Sequence, residues 1–225
     1  MKTRTIMSNA FLQLRPALLL GLALTLCHSL LLADPNADLL EAADKGDLAG
    51  VEAALEARAN VNARSENGET ALMRAIWAGR VAVVRRLIAA KANLNLKNEH
   101  GTALIIATSR DHTEIARLLI EAKANVNATD KYGTTALYKA ANMKRNEIAR
   151  MLIAAKANVN ARTSDGETAL MRAAYYGYTE IVNMLIAAKA NVNIKSKTGY
   201  TALAYAKRWS HYHVEETLRR AGAND

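Results

Sequence analysis

Cysteine, proline and aromatic residues are scarce in this 225-residue chain. A single cysteine, Cys27, excludes an internal disulfide framework and any multi-cysteine metal site. The only prolines, Pro16 and Pro35, both lie near the amino end, so nothing beyond residue 35 breaks a helix by losing an N–H. Aromatics make up 5% of the chain although hydrophobic residues make up 51%, with alanine and leucine supplying most of them. That balance disfavours a β-sandwich and suits helices packed closely at small residues. Catalytic signatures are missing as well: there is no phosphate-binding loop, nucleophile elbow or HExxH. His211 and His213 flank Tyr212, and a spacing of two splits them around a helix instead of forming a zinc pattern. No enzyme activity, metal or cofactor is expected.

Acidic residues are absent from residues 1–33. Lys2, Arg4 and Arg15 precede the apolar run from Ala17 to Leu26, and Ala33 ends a leucine-rich stretch before Asp34-Pro35. This basic, apolar, small-residue order predicts an export signal over residues 1–33, cleaved after Ala33, and so a periplasmic or secreted protein. Met7 is an alternative start that leaves Arg15 as the leading charge. Two other readings stay open. One is an uncleaved anchor, because the 17 residues from Ala17 to Ala33 approach the ~20 of a spanning helix; membrane contact is expected only then. The other is lipidation at Cys27, which the bulky Leu26 before it disfavours. Cleavage removes three bases and no acid, so the net charge falls from +9 to +6.

What the rest of the chain has in abundance is repetition. Thr70-Ala71-Leu72 returns at Thr102, Thr135, Thr168 and Thr201, at intervals of 32, 33, 33 and 33 residues. A period of this size means that each unit is one supersecondary motif, burying its apolar face only against its neighbours. In each unit a polar turn such as Arg64 to Glu69 precedes a threonine placed as a helix N-cap. Leu72, Ala75 and Ile76 recur at helical spacing, Gly79 ends that helix, and Val84, Leu87 and Ile88 mark the buried side of a second one.

The pattern resembles the ankyrin repeat: a β-turn finger, two antiparallel helices and a return loop. The resemblance covers about residues 36–225 and implies an all-α solenoid with short β-turn fingers over residues 34–225. Six units are expected: 36–67 as the N-terminal cap, then 68–100, 101–132, 133–165, 166–198, and 199–225 as the C-terminal cap. Three departures from the family pattern stand out. Alanine replaces the proline after the threonine, and Met73, Ile105, Tyr138, Met171 and Ala204 occupy the family's histidine position. The glycine that ends the second helix is replaced by Arg58, Lys91, Lys123, Lys156 and Lys189, and only Gly222 keeps it. A left-handed residue other than glycine costs about 1–2 kcal/mol, so stacking has to offset several. The finger at His100-Gly101-Thr102 is one residue short.

Two asparagine columns, one from Asn60 to Asn224 and one from Asn62 to Asn193, read as ties of return-loop backbone. Glu114, Glu147 and Glu180, each before an isoleucine near a helix start, read as structural. The basic column from Arg58 to Lys189 admits two readings, solvated side chains at a turn or a stripe that attracts an anionic surface.

Ankyrin partners usually contact the finger tips and the end of the first helix, which line a concave face. Carried onto this chain, the resemblance implies partner-binding residues at the helix ends: Trp77, Arg110, Met143, Tyr175, Tyr176, Arg208 and Trp209. Arg74, Lys139 and Arg172 hold the adjacent helix position. Arg64, Lys97, Tyr132, Arg162 and Tyr200 stand on the fingers. Tyr, Trp and Arg carry most interface energy, and both tryptophans of the chain fall in this set. The expected function is therefore a non-enzymatic, exported protein-interaction module, a monomer, with one protein partner of acidic surface. Peripheral attachment to an anionic surface through the lysine column is the alternative. Nucleic acid is disfavoured by export and by acids in the fingers. Similar exported bacterial proteins are thought to assist periplasmic enzymes such as catalases, which makes an accessory role of that kind a further alternative.

Overall fold

The computed structural model describes residues 34–224. Twelve helices run in six pairs: α1 (Pro35–Lys45) with α2 (Leu48–Glu56), α3 (Ala71–Trp77) with α4 (Val81–Ala89), and α5 (Ala103–Ser109) with α6 (Thr113–Glu121). The series continues with α7 (Ala136–Asn142) and α8 (Asn146–Ala154), α9 (Ala169–Tyr176) and α10 (Thr179–Ala187), and α11 (Ala202–Arg208) and α12 (Tyr212–Arg220). Each first helix packs on the first helix of the next pair, and each second helix likewise, so the chain is a predominantly helical repeat solenoid with two rows. Among the described residues, no helix is long and apolar enough to cross a membrane.

Each element forms for a local reason. Thr70, Thr135, Thr168 and Thr201 sit in extended backbone and accept a hydrogen bond from the N–H three residues on, capping α3, α7, α9 and α11. Asp34 and Asp47 cap the first pair, accepting from the N–H of Asn36, two residues on, and from that of Gly50, three residues on. Leu72, Leu104, Leu137, Leu170 and Leu203, equivalent in the repeat, are all buried, as are Leu87, Leu119, Leu152, Leu185 and Leu218 of the second row. Burying each such leucine contributes about 1.5–3 kcal/mol, and the alanines between them let the helices approach. No unit encloses a core alone.

The return loops are tied by an unbroken asparagine chain. The Asn60 side-chain oxygen accepts from the Asn62 N–H at 3.0 Å, and that of Asn62 accepts from the Asn93 N–H of the next unit at 2.7 Å. The same two steps repeat through Asn95, Asn125, Asn127, Asn158, Asn160, Asn191 and Asn193 to Asn224. Arg58, Lys91, Lys123, Lys156 and Lys189 adopt φ of 63–65°. Asp111, Lys144 and Ser210 join them in the left-handed region at the end of first helices, where Gly79 and Gly177 serve in other units. The sequence reading did not anticipate these three.

The short finger before Thr102, the second of the five, has a distinct geometry. Elsewhere Arg64 bridges to Thr70 and Thr129 to Thr135, six residues apart. With one residue fewer, β1 (Lys97–Asn98) and β2 (Gly101–Thr102) form a tight antiparallel hairpin. Gly101 takes φ 106° there, and a side chain on it would press on Ile105 and Asp130. Thr102 makes no capping bond, unlike its four equivalents.

Candidate functional site

Because each first helix ends one turn after its buried leucine, residues at the helix end emerge beside the fingers. In the last two units these positions hold aromatic rings. Tyr175 contacts Tyr176, Trp209 and Tyr205 edge-on, with centroids 4.8, 5.1 and 5.6 Å apart. Tyr205 stacks on Tyr200 at 5.1 Å, and Tyr176 on Tyr178 at 5.4 Å. The result is an aromatic platform in which Tyr175 is half-buried while Tyr176 and Trp209 are 38% and 48% exposed. Edge-on and stacked pairs of this kind contribute beyond their buried area.

The platform is braced from below. Glu167 accepts the Tyr138 phenol at 2.7 Å on one oxygen and the Tyr205 phenol at 2.8 Å on the other. Arg172 lies 3.8 Å from the same carboxylate and donates twice to the Asn142 side-chain oxygen, at 2.9 and 2.7 Å. Its guanidinium carbon lies 5.0 Å from the Tyr175 ring centroid and 5.3 Å from that of Tyr176. Burial first, then the bond to Glu167, pushes the Tyr205 phenol up to about 12 and holds that of Tyr138 well above its usual range. Both stay neutral and donating near neutral pH.

A second aromatic group stands at the other end of the first-helix row. Trp77 meets His100 of the short hairpin edge-on at 5.0 Å, and the Arg110 guanidinium lies 4.2 Å from its ring centroid. The short finger thus places His100 on Trp77.

The other sequence-selected residues divide by what they touch. Arg64 and Arg162 donate to the backbone carbonyls of Lys97 and Lys195, at 3.1 and 2.9 Å, and so tie successive fingers together. Arg74 pairs with Glu69 at 3.3 Å. Arg208 donates to the Tyr200 hydroxyl at 2.8 Å. Lys97, Tyr132 and Met143 are exposed, and Lys139 is half-buried. The structure brings Arg172, Tyr175, Tyr176, Tyr200, Arg208 and Trp209 into one group and Trp77 with Arg110 into another. Arg64, Lys97, Tyr132, Lys139, Met143 and Arg162 join neither ring cluster.

The sequence reading does not select Glu167, Tyr138, Tyr205 or His100 as parts of the site. Within its own repeat Tyr138 only fills the family's histidine position, and a glutamate shared by two phenols two units apart leaves no mark within one repeat.

Charge is organised differently on the second-helix row. Arg85 pairs with Glu114 at 2.8 Å, Arg117 with Glu147 at 3.5 Å, and Arg150 with Glu147 and Glu180 at 3.1 and 2.8 Å. These arginines and glutamates neutralise one another across unit boundaries. By contrast Arg110, Lys139 and Arg208, on the platform side, pair with no carboxylate among the described residues. Among those residues, no group of three or more His, Cys, Asp or Glu is placed to hold a metal ion.

A family model described as "Ankyrin repeats (3 copies)" matches residues 20–98, 39–130 and 90–163. Another, "Ankyrin repeats (many copies)", matches residues 152–206. An ankyrin repeat domain from Acinetobacter baumannii AYE is 34% identical, with a TM-score of 0.79, over 83% of this chain and 98% of that one. A chain from the complex of the Bdellovibrio bacteriovorus predatory endopeptidase Bd0816 with the immunity protein Bd3460 is 36% identical. Its TM-score is 0.71, over 81% of this chain and 97% of that one. No curated protein matches.

Proposed function

This chain belongs to the ankyrin repeat family, a family of protein-interaction modules, and on that footing we propose that it is a non-enzymatic, exported module. It holds a protein partner of acidic surface on the face formed by the first helices and fingers. One observation carries this reading. The aromatic face combines exposed Tyr176 and Trp209 with Arg110, Lys139 and Arg208, which pair with no carboxylate among the described residues. A partner's carboxylates complete that charge balance, and its apolar side chains cover Tyr176 and Trp209. The proposed contact set is Trp77, Arg110, Lys139, Tyr175, Tyr176, Arg208 and Trp209, with Arg172 and Glu167 bracing it. The relative in the endopeptidase–immunity protein complex supports an enzyme as the class of partner.

The test is recovery of the tagged protein from the envelope fraction of its host, beside a Trp77→Ala/Tyr175→Ala/Tyr176→Ala variant of unchanged helicity. The wild type is expected to bring down a protein that the variant loses. Identical companions for both, or recovery only from the cytosol, overturn the site or the export assignment respectively.

A further inference from the structure

The carboxyl ends of the second helices carry a surface that partner binding on the first-helix side leaves unused. Between α6 and α8 runs an open groove of about 580 Å³ with Ile120, Val126 and Met151 on its floor, and a smaller one of about 300 Å³ follows between α8 and α10. Exposed alanines, Ala154 and Ala187, continue the strip. Lys123 lines the larger groove, and Lys91, Lys156 and Lys189 hold the equivalent left-handed position in their own units, all four exposed and unpaired among the described residues. Among the described residues, Glu121 is the one carboxylate lining either groove.

The first unit has the opposite character. Residues 34–60 hold seven acids and two bases, a net −5, while residues 61–225 hold 25 bases and 14 acids, a net +11. All seven acids are exposed, and Asp38, Asp44 and Glu56 pair with no base among the described residues. Amid them stands Leu48, at 38% the only exposed leucine, isoleucine or valine among the described residues. An exposed aliphatic side chain on an acidic unit complements an apolar groove edged by Lys123 in both polarity and charge.

We infer that the occupant of the groove is the first unit of a second copy of this chain. Leu48 of one copy sits on Ile120 and Met151 of the other, with Asp44 and Glu56 facing Lys123 and Lys156. The two surfaces differ, so the contact is heterologous: two such contacts close a pair, and otherwise copies add end on end. Neither side includes the aromatic platform, so self-association and partner binding coexist. Exposed charges supply much of the attraction, and salt weakens it.

Sedimentation velocity of the protein as its host makes it, at low and high salt, tests the contact. Association is expected at low salt and its loss at high salt. Asp44→Lys/Glu56→Lys and Lys123→Glu/Lys156→Glu are each expected to weaken it by about tenfold or more, and mixing the two variants to restore it. Leu48→Ser separates the apolar part and is expected to weaken association without changing its salt dependence. Variants are compared at equal helicity, so misfolding is not counted as loss of contact. A monomer at every salt concentration overturns the inference, as does association indifferent to both charge reversals. Binding of the lysine column to anionic phospholipid vesicles without self-association overturns it in favour of a lipid surface. Loss of association in the Trp77/Tyr175/Tyr176 variant would place the contact on the aromatic face, and equally overturns it.

Discussion

Tyr138 and Glu167 stand 29 residues apart in sequence and 2.7 Å apart in space, phenol to carboxylate. The other oxygen of Glu167 takes Tyr205, so one acidic side chain ties together three successive units beneath the exposed rings. The platform is therefore a shared property of units four to six and not of any one helix.

The phenols of this brace make the fold sensitive to alkali. Tyr205 is raised from 10.0 to about 12, chiefly by burial and then by the Glu167 bond, and Tyr138 moves in the same direction. A raised folded value means that the native state keeps protons which the unfolded chain sheds. The stabilisation is fully present below pH 10 and drains away as pH rises through about 12. Denaturation midpoints measured from neutral pH upward should hold until about 10 and then fall. A flat profile through that window would remove the brace.

Glu167→Gln separates charge from shape. The amide keeps one acceptor oxygen, so one phenol loses its partner and Arg172 loses its counter-charge. The expected loss of stability is about 1–2 kcal/mol. The Tyr205 titration, followed by phenolate absorbance, should move down but stay above 10.0, because burial is its largest cause.

Much of the architecture is local and therefore legible. A threonine at the helix start, a buried leucine two residues later and a basic residue in the left-handed position recur within one period, so the copies of each signal reinforce one another. Thr102 departs because the deleted finger residue changes the approach of the chain to α5, a consequence of geometry instead of residue type. The site was legible as positions and not as contacts. Trp77, Tyr175 and Trp209 could be placed at helix ends, but the pairing of Arg64 with a carbonyl 33 residues away could not. Which arginines are committed to their own chain depends on stacking, which a single repeat does not encode.

The left-handed lysines are a reserve of stability. Lys156 holds φ 64°, where its Cβ is strained and glycine is not. Lys156→Gly is expected to raise stability by about 1 kcal/mol in a denaturant titration. Lys131→Gly, at a position outside the positive-φ set, should not stabilise at all. Equal effects at both positions would mean that the strain is relieved in solution.

The paired arginines of the second-helix row contribute much less than their number suggests. Arg150 touches both Glu147 and Glu180, yet its side chain is 58% exposed. Exposed pairs contribute about 0–1 kcal/mol, so Arg150→Ala should shift the denaturation midpoint only slightly, and less at high salt. A loss above about 2 kcal/mol would show that the ladder acts as a cooperative network.

The asparagine chain allows a sharper comparison, because its members resemble ordinary surface residues in all but their bonds. Asn127 accepts from the Asn158 N–H at 2.7 Å across a unit boundary. Asn127→Ala leaves that donor without its partner and should cost about 1 kcal/mol. Asn183, exposed on α10, makes no such bond. Asn183→Ala should be neutral or slightly stabilising, since alanine is the better helix former. The difference between the two variants measures coupling between neighbouring units, and hydrogen exchange should show it as lost protection at the Asn158 amide. If both substitutions have the same effect, the return loops are held by helix packing alone and the column is incidental to cohesion of the stack.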